Sequence, residues 1–489
     1  MRTIRSFIES PERSGILILV LSHLIATLYS TGFHHPDEHC QVLEFAHYAS
    51  GILKDPALLR WEFQEQIRPW FQPLIHAALI KPAFSMGIYD PFVGTTLFRL
   101  MYGLANIMAL WTLWMAFKKR DRIDPKWFLW IALVWFFPYL HVRTSSENLS
   151  GILLTFAAAR MVSGRPTGVT GLLFGLAFLA RYQIALGLLG LAFLLLFRDR
   201  GLRKSHLVML GGFLSSAVAG LGIDRLFYGN WTLAPWNYFK VNLIDGVAAT
   251  YSPHPWYQYF IWILILNPFW SIPLFAGSVR YAIREWKDGL AAFVWSFFVL
   301  HVFMTNKDIR FLFPILNIAV VMAASSLSTV NTPTWWRPWV SVQILTGMIG
   351  FGYTSLQSAS IPELWALEAF HRYRNSAQHW ISSGFELNPM KQTYYPLPSL
   401  LIRECKSPGE LQSCLDHGME THVIVSFKRN DPGSIAYLET LSRNQCKRLE
   451  STHPDWLFRL ERYFPALGRL KYKAVYRCPR PTTKDSQTR

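Results

Sequence analysis

Charge is scarce in this 489-residue chain: Asp, Glu, Lys and Arg make up 16% of it, where soluble domains carry about a quarter. With 51% of the residues hydrophobic, that shortage argues against a water-solvated globule and makes lipid the expected solvent. Acidic residues are the rarer sign. The 48 Lys and Arg outnumber the 31 Asp and Glu, giving a formal net charge of +17, which in a soluble chain first suggests nucleic acid. Here the basic residues sit in short clusters between apolar stretches, the pattern of cytoplasmic loops under the positive-inside rule. The expected partner is a lipid bilayer and not a nucleic acid. Walker loops, GxGxxG signatures, repeats and low-complexity tracts are missing too, which argues against nucleotide-driven chemistry. Cysteine is sparse, five in all, with Cys405, Cys414, Cys446 and Cys478 gathered near the C-terminus. Disulfides become available there if that region is exoplasmic.

What the chain does have is a series of apolar runs long enough, or nearly so with tilt, to cross ~30 Å of hydrocarbon. They lie near 15–32, 92–117, 127–141, 148–163, 167–181, 183–197, 206–223, 257–277, 289–305, 309–328 and 338–356, and predict an all-α polytopic membrane protein of about eleven transmembrane helices. The first run follows Arg2, Arg5 and Arg13, yet no small-residue cleavage site precedes the polar loop after it, so it reads as an anchored helix. With the N-terminus inside, the inside loops become KKRDR (118–122), SGRP (163–166), RDRGLRK (198–204), RYAIREWK (280–287) and NTPTWWR (331–337), every one basic. The outside segments then include 33–91, 142–147, the turn near Arg181, 224–256, 306–308 and everything after about 357.

Beyond residue 357 charges become frequent, and THVIVSF (421–427) and YKAVYRC (472–478) read as short strands among amphipathic helical segments. The expected organisation is a transmembrane domain over 1–356 with long exoplasmic loops at 33–91 and 224–256, followed by a small soluble α/β domain over 357–489.

Chemistry is expected first in the loop after the first helix, where His34, His35, Asp37, Glu38, His39, Gln41 and Glu44 fall within a few turns of chain. A carboxylate at a membrane interface is partly desolvated, which moves its proton affinity toward general-base work. The same residues also fit a helix start, since Pro36 suits a first turn and acidic groups favour helix N-termini. Metal binding by the histidines and acids is a further reading, although neighbouring residues rarely converge on one ion. Downstream, Trp61, Trp70 and Phe71 alternate with Glu62, Glu65 and Arg68, a mixture suited to the headgroup region or to stacking on sugar rings. The loop 222–260 is rich in Trp, Tyr, Asn and His, and TNKDIRFLFP (305–314) places Lys307 and Arg310 at an outside helix junction. Cations there suit a phosphate or lipid headgroups. Arg143, Glu147 and Arg181 occupy other outside turns, and the sequons at Asn148 and Asn230 fall outside as well.

HPDEHCQVLEFAHY (35–48), WEF (61–63) and IRPW (67–70) resemble the first loop of glycosyltransferase family 22, the lipid-linked-sugar mannosyltransferases of glycosylphosphatidylinositol and N-glycan assembly. RTSSENLSG (143–151), the stretch from IDRLFYGNW to SPHPWYQYF (223–260) and NKDIRFLFP (306–314) are similar to further blocks of that family in the same order. Asn306 stands where the family has His, and Asp308 where it has Glu.

The resemblance implies a GT-C fold and an inverting enzyme, most simply an α-mannosyltransferase moving mannose from a polyprenyl (dolichyl) phosphate to a glycan or glycolipid acceptor at the exoplasmic or lumenal face. It implies Asp37 as catalytic base with Glu38 beside it. Separately, no metal ligands and no cofactor are expected. His254, Lys307, Arg310, Arg68, Trp61 and Glu62 are then the candidates for holding donor phosphate or sugar. The membrane is that of the endoplasmic reticulum in a eukaryote and the cytoplasmic membrane in a bacterium. The competing class is a transporter or flippase of lipid-linked sugars, but transporters place their binding groups near the bilayer midplane, whereas these polar groups collect on one face.

Overall fold

The computed structural model describes residues 10–198, 203–330, 336–356, 359, 361–373, 379–383, 401–405, 407–415, 420–428, 432–451 and 471–479. They form two compact units, Met1–Ala359 and Ser360–Arg489, dividing close to the change in composition at residue 357.

The first unit is helical. Its longer helices are α1 (Pro11–Tyr29), α2 (Phe71–Ser85), α3 (Pro91–Asp121), α4 (Ser146–Val162), α5 (Gly168–Ala180), α6 (Ala185–Arg198), α7 (Lys204–Tyr228), α8 (Pro268–Arg284), α9 (Gly289–Phe303), α10 (Phe313–Leu327) and α11 (Trp336–Ser355). Every apolar run read from the sequence contains helix. Two runs are broken: one into Lys126–Ala132 and Phe137–His141, the other into Gln258–Ile265 and α8. The second break sits at Asn267, in the left-handed region at φ 57, just before Pro268, whose ring disfavours α-helical geometry in the residue ahead of it. Among the described residues, α1, α3, α7 and Ile309–Leu327 are long and apolar enough to cross a membrane; α5, Tyr182–Arg198 and α9 are apolar but shorter.

The helices approach closely where their side chains are small. A Cβ on Gly171 would lie 1.8 Å from the Met209 carbonyl oxygen, one on Gly212 would lie 2.0 Å from that of Gly168, and one on Gly175 would collide with Ser216. Gly171–Gly175 on α5 and Gly212–Ser216 on α7 thus form facing small-xxx-small stripes, the device by which helices pack in lipid. Ser216 Oγ adds a hydrogen bond across them to the Leu172 carbonyl, at 2.9 Å.

Polar contacts gather at the two ends of the bundle. At one end Lys118 pairs with Glu12 at 2.8 Å, Arg120 with Asp288 at 2.8 Å, and Arg284 donates to Thr329 at 3.0 Å; these join chain ends read as inside. At the other, Arg143 donates to the Gly32 carbonyl at 3.2 Å, Ser30 donates to the Thr354 carbonyl at 3.1 Å and Arg181 pairs with Glu147 at 3.1 Å. Between them runs the apolar core around Leu110, Trp114, Phe137, Phe297 and Val321. One buried polar network enters it, His23 to His141 to Asn317 at 2.9 Å each, then Asn106 and Asn148. Asn148 spends its amide hydrogens on the carbonyls of His141 and Arg143, so its sequon is occupied by structure.

The segment 33–91, expected as a loop, is largely folded. It contains a wide helical turn Glu38–Leu43, the helices Glu44–Ser50 and Trp61–Gln64, and α2. α2 carries an internal Pro82 and little amphipathic pattern, so nothing in the residue order marks it as a helix.

The second unit holds a five-stranded sheet of β1 (His379–Ser383), β2 (Leu401–Cys405), β3 (Thr421–Lys428), β4 (Lys447–Ser451) and β5 (Lys471–Cys478), in the order β2-β1-β3-β5-β4. β1 is parallel to β2 and β3, while β5 runs antiparallel to β3 and β4, with Thr421 opposite Cys478. Helices Pro408–Leu415 and Pro432–Arg443 contribute Leu411, Tyr437 and Leu441 to a core with Ile381, Val423 and Ala474. Disulfides join Cys405 to Cys414 and Cys446 to Cys478.

Candidate active site

The site begins where α1 ends. Gly32, at φ 82, uses the left-handed region open to glycine to turn the chain, and Pro36 starts the helical turn that carries Asp37. From the other end of the chain's transmembrane part, Asp308 caps the short turn Ile309–Leu312. One of its carboxylate oxygens accepts from Arg310 N and the other from Arg310 Nε, both at 3.0 Å. The guanidinium is thereby aimed at Asp37, and Arg310 Nη1 donates to Asp37 Oδ2 at 2.9 Å. Glu147, in the first turn of α4 where an acid favours the helix N-terminus, lies 3.6 Å from the same nitrogen and 3.1 Å from Arg181 Nη2. Arg310 is thus held among three carboxylates.

Burial pushes the Asp37 carboxyl up, but the hydrogen bond from His35 and the charges of Arg310 and Arg68 outweigh it and hold the group well below the usual carboxylate range. Asp37 therefore stays ionised in the resting protein. Burial lowers His34 to about 4, despite Asp308 nearby, and its Nδ1 hydrogen-bonds the Tyr139 hydroxyl at 2.8 Å. His39 is lowered to about 3 by burial first, then by His47 and Arg60. Both rings are neutral at pH 7.

A second wall comes from residues 61–70. Asp224 near the end of α7 accepts from Trp70 N at 2.9 Å, Tyr228 donates its hydroxyl to the Arg68 carbonyl at 2.7 Å, and Trp70 stacks on Phe227 at 4.4 Å between centroids. So fixed, the segment presents Trp61, Glu62 and Arg68. Gln41 donates to Glu62 Oε1 at 2.9 Å, Arg68 lies 3.7 Å from the same oxygen, and the Arg68 guanidinium lies 5.8 Å from the centre of the Tyr238 ring.

These walls, with Tyr238, Asn242 and Tyr251 from the segment after α7, enclose a cavity of about 630 Å³. Four arginines (Arg60, Arg68, Arg181 and Arg310) and three carboxylates (Asp37, Glu62 and Asp308) line it, a surplus of one positive charge that suits a singly charged anion. An ionised carboxylate beside a guanidinium can take a proton from a hydroxyl while the cation stabilises a departing anion.

Of the residues expected to act in catalysis or donor binding, Asp37, Trp61, Glu62, Arg68 and Arg310 line this cavity, whereas Glu38, His254 and Lys307 do not. Glu38 is buried behind Asp37 and accepts from two backbone amides, His34 N at 2.8 Å and Thr144 N at 3.1 Å. Lys307 is 2% exposed and turns inward, its ammonium donating to the carbonyls of Met304 and, at 3.2 Å, His254. His254 N in turn donates to the Thr305 carbonyl at 3.0 Å, Pro253 bridges to Asn306, and the His254 ring packs edge-on against Trp262. The charge of Lys307 is evident from residue type but its direction is not, and in this fold it staples two stretches of backbone together. Arg60 and Gln183 line the cavity without any spacing that marks them, whereas Tyr238 and Asn242 lie in the stretch 222–260 noted for its Trp, Tyr and Asn content, and Asp308 stood out as a substituted Glu. Among the described residues no three His, Cys, Asp or Glu side chains converge as a metal site.

The model of the Alg9-like mannosyltransferase family matches residues 15–378. The GPI alpha-1,2-mannosyltransferase 3 of Bos taurus is 26% identical over 427 residues, covering 83% of this chain and 75% of its own length. That of Homo sapiens is 27% identical over 70% of this chain and 62% of its own, and Mannosyltransferase APTG1 of Arabidopsis thaliana 27% over 66% and 60%. The chain therefore spans less than two thirds of some of these relatives. In fold it is similar to ArnT from Cupriavidus metallidurans bound to undecaprenyl phosphate, with a TM-score of 0.54 at 12% identity over 94% of this chain and 97% of that one. With the family model matching most of its length, the chain belongs to the Alg9-like mannosyltransferase family.

Proposed function

We propose that this protein is an inverting α-mannosyltransferase that moves mannose from a dolichyl-type polyprenyl phosphate to a glycolipid of the glycosylphosphatidylinositol class, at the lumenal face of the endoplasmic reticulum membrane. The observation that carries the reading is the Asp37–Arg310 pair, 2.9 Å apart, on the wall of a cavity large enough for sugar rings. The relatives' names supply the sugar and the acceptor class, and the undecaprenyl phosphate bound by the structural neighbour supports a polyprenyl carrier.

In the proposed step the acceptor hydroxyl attacks the anomeric carbon as the bond from that carbon to the phosphate oxygen breaks on the opposite face. The hydroxyl proton passes to the Asp37 carboxylate. Phosphate leaves with the bonding electron pair, and the guanidinium groups of Arg310 and Arg181 take up its charge, so no dedicated acid is needed. Trp61, Glu62, Arg68 and Gln41 form the wall that recognises sugar hydroxyls.

The side of the membrane is supported by two independent features. Basic residues cluster at the opposite end of the bundle, as expected for a cytoplasmic face. The chain also leaves α11 at the cavity end, where the Ser30 hydroxyl donates to the Thr354 carbonyl, and runs into a unit stapled by two disulfides, which form on the oxidising side. Four arginines and three carboxylates facing one cavity at one end fit surface transfer better than transport through the midplane.

The test is product analysis by mass spectrometry after reconstituted protein is offered mannose, glucose and galactose on polyprenyl phosphate with a glycolipid acceptor. An α-linked mannosyl product is expected; sugar uptake into proteoliposomes without transfer sinks the proposal.

A further inference from the structure

Two carboxylates stand side by side in the first loop, and the structure gives them opposite surroundings. Asp37 faces the cavity. Glu38 is buried, is absent from the cavity wall, and has both carboxylate oxygens committed to backbone, Oε1 to His34 N at 2.8 Å and Oε2 to Thr144 N at 3.1 Å. We propose that Glu38 is a positioning residue that sets the Asp37 carboxylate against Arg310 by clamping the Asp37 turn to the residues just ahead of α4. This inference rests on the assignment of Asp37 as the base.

The clamp is anchored on both sides. The Thr144 peptide gives its N–H to Glu38 and its carbonyl accepts from Gln72 Nε2 at 2.9 Å. Arg143, one residue earlier, donates to the Gly32 carbonyl and to Ser30 Oγ, fixing the start of the same turn. Three residues after Thr144 comes Glu147, which contacts Arg181 and approaches Arg310. One carboxylate therefore ties the stretch of chain bearing Asp37 to the stretch bearing the partner of its own partner. Only a group with two acceptor oxygens fits: an amide in its place would turn an NH2 toward one of the two donors. Displacement of a reacting group by about 1 Å is enough to cost on the order of a hundredfold in rate.

The experiment is a double-mutant cycle in the full-length reconstituted enzyme with Asp37→Asn and Glu38→Gln, reading kcat, donor KM and binding of the polyprenyl phosphate alone. Glu38→Gln is expected to lower kcat by about ten- to a hundredfold, to leave the donor KM and lipid-phosphate binding close to those of the native enzyme, and to add no further loss on the Asp37→Asn background. Native kcat in Glu38→Gln, or losses that multiply in the double variant, overturns the positioning role. If Asp37→Asn alone transfers normally, the assignment of the base fails, and that result is seen before Glu38 enters. Should Glu38→Gln not bind the lipid phosphate, Glu38→Asp, which keeps the charge but is too short to reach both amides, takes its place in the cycle. Native kcat or multiplying losses in that variant overturn the role in the same way.

Discussion

Arg310 Nη1 and Asp37 Oδ2 lie 2.9 Å apart although 273 positions separate the two residues in the chain. The bond joins the turn after the first apolar helix to the turn before α10, and together with the hydrogen bond from His35 and the charge of Arg68 it keeps a carboxylate ionised in a partly desolvated site. A base so paired is weak at rest. In the proposed mechanism an anionic phosphate arriving at Arg310 competes for the guanidinium and is expected to leave Asp37 the stronger base when the acceptor hydroxyl comes within reach.

Replacing Asp37 by Asn is expected to lower transfer by about 10²–10⁴-fold, the usual worth of a general base, with expression and lipid-phosphate binding retained. Radiolabelled or mass-resolved product formation in proteoliposomes is the measurement.

The acid limb of the rate profile follows from the same pair. The folded-state proton affinity of Asp37 is depressed, so the stabilisation from its pairing is fully present above the unfolded value of about 4. It fades only as pH falls through the lower folded value. Between about pH 5 and 7 kcat/KM is therefore expected to show no titration of Asp37. Arg310→Gln removes one of the cations opposing burial, and its acid limb is expected to move to higher pH together with a rise in donor KM. An unmoved limb counts against the electrostatic coupling.

Gly171→Ala tests the packing of α5 on α7. The new methyl group meets the Met209 carbonyl, and the overpacking is expected to cost about 3 kcal/mol or more, read as a lower midpoint in thermal unfolding in detergent. Gly211→Ala, with nothing within 4 Å of the added carbon, is the matched control and should leave the midpoint in place.

Cys446→Ser with Cys478→Ser opens a bridge between residues 32 positions apart, expected to cost the C-terminal unit about 3–4 kcal/mol. Limited proteolysis of that unit should accelerate, and transfer should follow only as far as the unit is needed. In the native protein under denaturing, non-reducing conditions, Cys40 alone is expected to take a thiol-specific label, since the other four cysteines are paired.

The helices were legible because lipid tolerates so little else: long apolar runs and basic inside loops leave few alternatives. The strands at 421–428 and 471–478 were legible from their β-branched and aromatic content. The site was legible in part. Asp37 and Arg310 stood out by residue type and by the ordered blocks around them, yet no spacing rule joins residues so far apart, and only the folded chain shows their bond. Lys307 and His254 illustrate the limit: residue type reports that a cation or an imidazole is nearby, and only the fold shows that they lie off the cavity wall and bond to backbone. Glu38 shares its neighbour's chemistry and differs from it in space by facing away from the cavity.

The arginine-lined wall also bears on how the cycle ends. In the proposed reaction the donor's phosphate is a diester with one negative charge; once the sugar has gone it is a monoester carrying closer to two. If Arg310 and Arg181 hold that phosphate, as proposed, they are expected to grip the spent carrier lipid more firmly than the loaded one. An enzyme working this way is expected to finish its chemistry and then wait for the lipid phosphate to depart, so that its first turnover outruns the rest and free carrier phosphate inhibits it by competing with the donor, both readable in burst-phase kinetics.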